Sequence, residues 1–356
     1  MRIGIISNAS SAAIGGPART VEELAATFTA HGHRVDTICW PRAGRSAPLT
    51  AYHFALTLAR LVLWRCDVVH VHNCFVGLAA ACGARLLTGC KVCFSLHTSL
   101  PTDSMGSVMR RPLSNANRYR SFLLRKADAL TAVSQFIVDQ FREAGWVDLD
   151  AVTVVSSGAD FRNAFDDQRC YTPQPPPHSV LRLLSAGVLA WRWKLDGHIR
   201  ALRCLAACRD VLGDFEFSIA GDGPLQSELE IEVKNLHLET KVRLLGNVTD
   251  MRLYFSHTDA YLQFFENEGC SLALLEALSH GLPVVGSGKG GSGAILQGLD
   301  GVLVLDGTEA EVVEQFRHKV VLSGWLGSRS RYARPSLSNY SWDSVCEQYL
   351  KVFREC

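Results

Sequence analysis

Glu268-Gly269-Cys270-Ser271-Leu272-Ala273-Leu274-Leu275-Glu276-Ala277-Leu278-Ser279-His280-Gly281-Leu282-Pro283-Val284-Val285 carries two carboxylates separated by seven residues. The apolar run 260–264 before it reads as a strand, 271–280 has helical spacing, and 283–285 is a second short strand. Glu268 therefore falls in a strand-to-helix loop, and Glu276 lies about one and a half turns into the helix. A helix that starts at Ser271 and Leu272 presents free backbone N–H groups and a positive dipole end, both suited to a phosphate. Glu276 can accept hydrogen bonds from sugar hydroxyls. A capping glutamate followed by an ordinary solvated one has the same spacing, so spacing alone leaves both readings open.

Outward from this stretch, strands and helices alternate. Strands are expected at 3–7, 34–40, 67–72, 91–96, 129–133 and 152–155, with helices at 20–31, 52–64, 77–87, 117–126 and 135–144. Pro173, Pro175, Pro176 and Pro177 then interrupt a stretch with almost nothing apolar, a linker signal. Alternation resumes with strands at 181–186, 216–220, 242–245, 260–264, 283–285 and 301–305, and helices at 197–211, 226–236, 251–257 and 271–280. This spacing implies an α/β fold of two Rossmann-like, doubly wound parallel-sheet domains facing a cleft. The expected organisation is an N-terminal domain over 1–168, a Pro-rich linker over 169–179, a C-terminal domain over 180–335, and a C-terminal helix over 336–356 that returns to the first domain. Ligands of such sheets bind outside the carboxyl ends of the strands.

The 356 residues carry 36 Lys and Arg against 35 Asp and Glu. A formal charge of +1 excludes a dedicated nucleic-acid binder, which would show a basic excess. No apolar run reaches membrane-spanning length, and Met1-Arg2-Ile3-Gly4-Ile5-Ile6-Ser7 reads as a strand rather than a signal peptide. A cytoplasmic protein is expected. The 12 cysteines are too dispersed for a disulfide scaffold.

Eight motifs in order resemble the retaining glycosyltransferases of family 4, group 1, which have the two-domain GT-B fold. They are Gly15-Gly16-Pro17-Ala18-Arg19 with Gly32-His33; Asp67-Val68-Val69-His70-Val71-His72; Ala127-Asp128-Ala129-Leu130 with Val133-Ser134; Ser157-Gly158-Ala159-Asp160; Ala220-Gly221-Asp222-Gly223-Pro224; Leu245-Gly246-Asn247-Val248; the Glu268–Val285 string; and Tyr340-Ser341-Trp342. The resemblance implies transfer of a sugar from a nucleoside-diphosphate donor, UDP or GDP. The acceptor would be a glycan, a lipid-linked or a small molecule. Polysaccharide or glycolipid assembly is the expected setting, with natural-product glycosylation as an alternative.

The resemblance also implies roles. Glu268 would hold the donor sugar's hydroxyls, and Glu276 the ribose. Gly15 and Gly16 would let the backbone approach the diphosphate, Lys194 would neutralise it as it leaves, and Ser271 and Leu272 would offer amides. His97, after the strand 91–96, would stand against the sugar and its phosphate. No metal or other cofactor is expected. Val188 departs from the pattern, because an arginine that grips phosphate is expected there; Arg192 is the candidate substitute. If nothing substitutes, the leaving group is held less tightly or the chain is impaired, and the alternative reading is a nucleotide-sugar-binding protein without transfer activity.

Three rival readings remain. Gly286-Ser287-Gly288-Lys289-Gly290-Gly291 fits a dinucleotide fingerprint, yet only about two helical turns, 292–299, follow it. His70, His72, Cys74, Cys90, Cys93 and His97 are metal-ligand types close in sequence. Asp148-Leu149-Asp150 resembles a metal-holding motif but reads as a solvated turn. Finally, Arg110, Arg111, Arg118, Arg120, Arg125 and Lys126 form a basic stretch without acids, a solvated face or a contact with an anionic membrane surface.

Overall fold

The computed structural model describes residues 1–8, 16–40, 47–97, 115–145, 152–161, 180–299, 301–328 and 334–356. The chain divides into two compact units, Met1–Gly158 with Trp342–Cys356, and Ala159–Ser341. The expected proline linker lies outside the described residues.

The first unit contains β1 (Arg2–Ser7), α1 (Gly16–Ala30), β2 (Arg34–Cys39), α2 (Ala47–Trp64), β3 (Val68–His72), α3 (Phe75–Thr88), β4 (Lys91–Leu96), α4 (Asn115–Leu124), β5 (Ala129–Ala132), α5 (Gln135–Glu143) and β6 (Val152–Val154). Its sheet has the order β2-β1-β3-β4-β5-β6 and is parallel throughout. All five residues of β3 are buried, as a strand covered on both faces requires.

The second unit contains β7 (Val180–Ala186), α6 (Arg192–Ala207), α7 (Arg209–Leu212), β8 (Asp214–Ala220), α8 (Gln226–Asn235), β9 (Val242–Gly246), α9 (Arg252–Ser256), β10 (Ala260–Gln263), α10 (Leu272–Ser279), β11 (Val284–Gly286), α11 (Gly290–Leu296), β12 (Val302–Val304), α12 (Glu309–Gln315) with a π-helical continuation Phe316–Leu322, α13 (Trp325–Ser328) and a 3-10 segment Arg334–Tyr340. Its parallel sheet runs β12-β11-β10-β7-β8-β9. The last helix, α14 (Trp342–Glu355), belongs to the first unit. There Phe353 packs against Phe28 of α1, ring centroids 5.8 Å apart. The two doubly wound sheets are a GT-B architecture.

Several elements differ from the sequence reading; α1 and α2 start four and five residues before the expected positions 20 and 52. The helix expected from Gly197 starts five residues earlier, at Arg192. Gly197 is not a start but a close approach: a Cβ there would sit 2.4 Å from Phe265 Cδ1. The segment 309–328, for which no helix is expected, holds two, besides the π-helical continuation. Its first is opened by a capping box, Thr308 Oγ1 accepting from the Glu311 amide while the Glu311 carboxylate accepts from the Thr308 amide.

Candidate functional site

In the second unit the strand order reverses between β7 and β10. The loops that leave these two strands must part, one to each face, and the gap at their carboxyl ends is where parallel sheets bind ligands. The β7 loop leads into α6, which begins with Arg192, Trp193 and Lys194. The β10 loop carries Glu266, Asn267 and Glu268. Across the gap Lys194 Nζ lies 2.5 Å from Glu268 Oε2, and both side chains are 14% exposed. Despite that distance, Glu268 Oε2 accepts no aligned hydrogen bond from a described residue. Lys194 also stands over the faces of Trp193 and Phe265, 5.1 and 4.8 Å from their centroids. A cation in the first turn of a helix opposes the helix dipole. The arrangement is costly unless an anion, here Glu268, faces it.

Both loops are braced. Gly187 N–H donates to the Ala220 carbonyl and Leu189 N–H to the Asp222 carbonyl. The β7 loop lies so close to Gly221, at φ 146°, that a Cβ there would be 2.0 Å from the Gly187 carbonyl oxygen. On the β10 side, Glu266 is gripped by Arg200 and, at 3.2 Å, by Lys289, while the Glu268 carbonyl accepts from the Gly291 amide at 2.8 Å. Arg200 and Lys289 were not singled out from the sequence, because the pairing joins residues 66 and 23 positions apart.

Ser271 caps α10, its hydroxyl accepting from the Leu274 amide at 3.3 Å, and its own amide donates to Ser292 Oγ at 3.1 Å. The Leu275 amide makes the first bond back into the helix, so the amides of Leu272 and Ala273 precede intrahelical bonding. Glu276 lies half-buried further along α10. Arg192 is exposed and held by Asp196 at 3.1 Å and by Glu228. One turn below Lys194, His198 is buried. Burial lowers its pKa to about 3, so the ring is neutral.

The dinucleotide reading fails on the same side of the sheet. After β11 the helix is seven residues long, and the Gly288 amide that would meet a pyrophosphate donates instead to Asp306, at 2.9 Å. Ser287 Oγ donates to the same carboxylate at 3.0 Å.

In the first unit Gly16 is the first residue of α1, its carbonyl accepting from Thr20 Oγ1, and Gly15 lies outside the described residues. His97 follows β4, and its amide donates to Asn73 Oδ1 at 3.1 Å. Its Nε2 is 2.7 Å from His72 Nδ1, and His72 Nε2 is 3.2 Å from His70 Nδ1. Burial pushes these imidazoles down, His97 to about 4 and His70 to about 3. Bonded to one another in a row, the three rings do not converge on a point, and no group of three or more His, Cys, Asp and Glu among the described residues is arranged for a metal ion. Asp148, Asp150, Arg110 and Arg111 lie outside the described residues. Arg118, Tyr119, Arg120, Phe122, Arg125 and Lys126 are exposed on and just after α4.

The family model described as Glycosyltransferase Family 4 matches residues 14–163, and that described as Glycosyl transferases group 1 matches 181–319. The chain belongs to the family 4, group 1 glycosyltransferases. Among its relatives, the N-acetyl-alpha-D-glucosaminyl L-malate synthase of Bacillus anthracis is 27% identical over 266 residues, 70% of this chain and 64% of that protein. The chain spans less than two thirds of the length of the first curated relatives it matches. Of solved structures, Anabaena HepE in complex with UDP and glucose superposes with a TM-score of 0.75 at 18% identity, covering 99% of each chain. A Rickettsia africae glycosyltransferase gives 0.74 at 16% identity, covering 99% of this chain and 98% of its own. These likenesses show the GT-B fold. Among the described residues no helix is long and apolar enough to cross a membrane.

Proposed function

We propose that this protein transfers a sugar, with retention of configuration, from a nucleoside-diphosphate donor to an acceptor in polysaccharide or glycolipid assembly. The observation that carries the reading is the Lys194–Glu268 pair at the strand-order reversal of the second sheet. It sets a cation and a carboxylate side by side, the two groups that a sugar diphosphate needs at its bridging end. On binding, the diphosphate takes Lys194 and releases Glu268 to accept from sugar hydroxyls. Lys194 then stabilises the charge that develops on the leaving diphosphate, a role that a metal fills in other sites. Glu276 accepts from the ribose, and the amides of Leu272 and Ala273 face phosphate oxygens. The leaving phosphate deprotonates the acceptor. Arg192 joins the phosphate grip only by leaving Glu228 and Asp196. The relative crystallised with UDP and glucose supports a UDP-sugar donor.

Nucleotide release from a panel of UDP- and GDP-sugars, with glycan, lipid-linked and small-molecule acceptors, tests the reading. The expected result is acceptor-dependent release with one donor, lost in Glu268→Gln. A rise in melting temperature with a nucleotide sugar but no release with any acceptor would mark a binding protein without transfer.

We also infer contact with an anionic membrane surface at a cytoplasmic location. The observation is the exposed pair Tyr119 and Phe122 set among Arg118, Arg120, Arg125 and Lys126, aromatic rings with cations around them. Flotation with vesicles of anionic lipid at low salt is the test; a protein that stays at the bottom of the gradient refutes it.

A further inference from the structure

On one face of the first sheet a row of polar groups runs inward from His97. His70 and His72 are two residues apart on β3 and so share a face. His72 is in register with Ser95 on β4, and Ser95 with Thr131 on β5. From the outer end, His97 Nε2 meets His72 Nδ1 at 2.7 Å, His72 Nε2 meets His70 Nδ1 at 3.2 Å, and His70 Nε2 meets Ser95 Oγ at 2.6 Å. Ser95 Oγ is 2.5 Å from Thr131 Oγ1 and 3.4 Å from the Tyr349 hydroxyl. The ring of His70 packs at a tilt against those of His72 and Tyr349, at 4.0 and 4.6 Å between centroids.

A neutral imidazole has one N–H and one lone pair, so the three links must all point the same way. In one direction each ring is protonated on Nδ1 and points its proton outward. In the other each ring is protonated on Nε2, the tautomer that a free histidine side chain prefers, and donates inward to the next Nδ1. The second direction leaves no ring in its less stable form. It ends in His70 Nε2–H donating to Ser95, whose own proton goes to Thr131. Protonating His72 or His70 would set two donors against each other at a link and put a charge in the core, while His97 is kept neutral by its own burial. Nor can the row conduct a proton away, because Ser95, Thr131 and Tyr349 at its inner end are buried.

We propose that His72 and His70 are positioning residues that hold His97 as a neutral imidazole, proton on Nε2, with the lone pair of Nδ1 available to accept a hydrogen bond from a substrate hydroxyl. Nδ1 of His97 has no hydrogen-bond partner among the described residues. A lone pair suits a hydroxyl, which brings a proton, and does not suit a diphosphate oxygen, which brings none. That substrate role rests on the transferase reading, whereas the tautomer does not.

Nitrogen–proton correlation spectra of histidine-labelled full-length protein at pH 7 separate Nε2–H, Nδ1–H and charged rings without any substrate. His97, assigned by loss of its signals in His97→Ala, is expected as Nε2–H. His72→Phe removes its acceptor, and the His97 nitrogens should then move to tautomer-averaged shifts. His72→Asn, whose amide oxygen replaces the Nδ1 acceptor, should restore them. If His72→Phe does not fold, Ser95→Ala cuts the row at its inner end and should shift His70 first. A His97 protonated on Nδ1 or doubly protonated in the wild type, or unmoved by loss of His72, overturns the proposal. In the transfer assay His72→Phe should lower kcat about tenfold to a hundredfold with the donor KM little changed. A wild type with the expected His97 tautomer that transfers from no nucleotide sugar would refute the transferase reading and leave the row standing.

Discussion

Replacing Lys194 by Met removes the cation and keeps the stem that lies on Trp193 and Phe265. What is lost follows from the distance. At 2.5 Å and an effective dielectric constant of about 20, the Coulomb attraction is roughly 7 kcal/mol. Desolvation of the two ions offsets most of it, and loss of one member of a buried pair costs about 3–5 kcal/mol, because the other is left uncompensated. Both side chains keep 14% exposure, which places this pair at the low end, about 3 kcal/mol. For a unit of this size that lowers the melting temperature by roughly 6–12 °C. Glu268→Gln should cost a similar amount. The double variant Lys194→Met with Glu268→Gln leaves no unpaired charge and should return to within about 1 kcal/mol of the wild type, a coupling of about 5–6 kcal/mol. Transfer should stay lost in all three, by at least about a hundredfold. Thermal unfolding and nucleotide release, measured on the same four proteins, read the two effects apart. Additive single effects in the double variant would show that the pair is not an interaction, and a double variant with wild-type turnover would show that it is not the site.

Acidification should destabilise the fold. His70, His97 and His198 have pKa values lowered by burial to about 3, about 4 and about 3, and that of His72 is also lowered. The unfolded chain therefore binds protons that the folded one refuses, and stability is lost as pH falls from about 6.5 towards 4. At pH 5.5 the loss is up to about 1.4 kcal/mol per histidine, measurable as a falling urea midpoint; a midpoint constant from pH 7 to 5 would contradict it. Gly221→Ala should lower stability by more than about 1 kcal/mol, since the new methyl would enter the Gly187 carbonyl at a φ that L-residues rarely adopt; an unchanged urea midpoint would contradict the described loop. Native protein should modify rapidly with a thiol reagent at exposed Cys39 and slowly at buried Cys66, Cys74 and Cys346, whose thiols are pushed up to about 12, 11 and 12; mass spectrometry of digests reads the order.

The parallel sheets were legible because their strands are short apolar runs at regular spacing, such as Val68–His72 and Val284–Gly286. The Lys194 and Glu268 pair was legible only as two separate residues, and its contact depends on the strand order β10-β7, which no local pattern contains. The early start of α6 was hidden by Gly197, which sequence reading takes as a helix break and packing against Phe265 requires. The capping box at Thr308 and Glu311 is a local signal that the sequence carries in full. His70 and His72 were read as candidate metal ligands, because alternation along a strand shows that they share a face but not that their nitrogens meet each other. The bracing of Glu266 by Arg200 and Lys289 could not be read, since the three residues come from separate elements.

Calorimetric titration of a UDP-sugar panel into the wild type and Glu268→Gln tests the central assignment most directly. One nucleotide sugar should bind the wild type more tightly than UDP alone, and Glu268→Gln should bind UDP normally while losing the extra affinity for the sugar. Equal affinity of the variant for that nucleotide sugar, or no binding of any nucleotide by the wild type, would contradict a donor site built on Glu268.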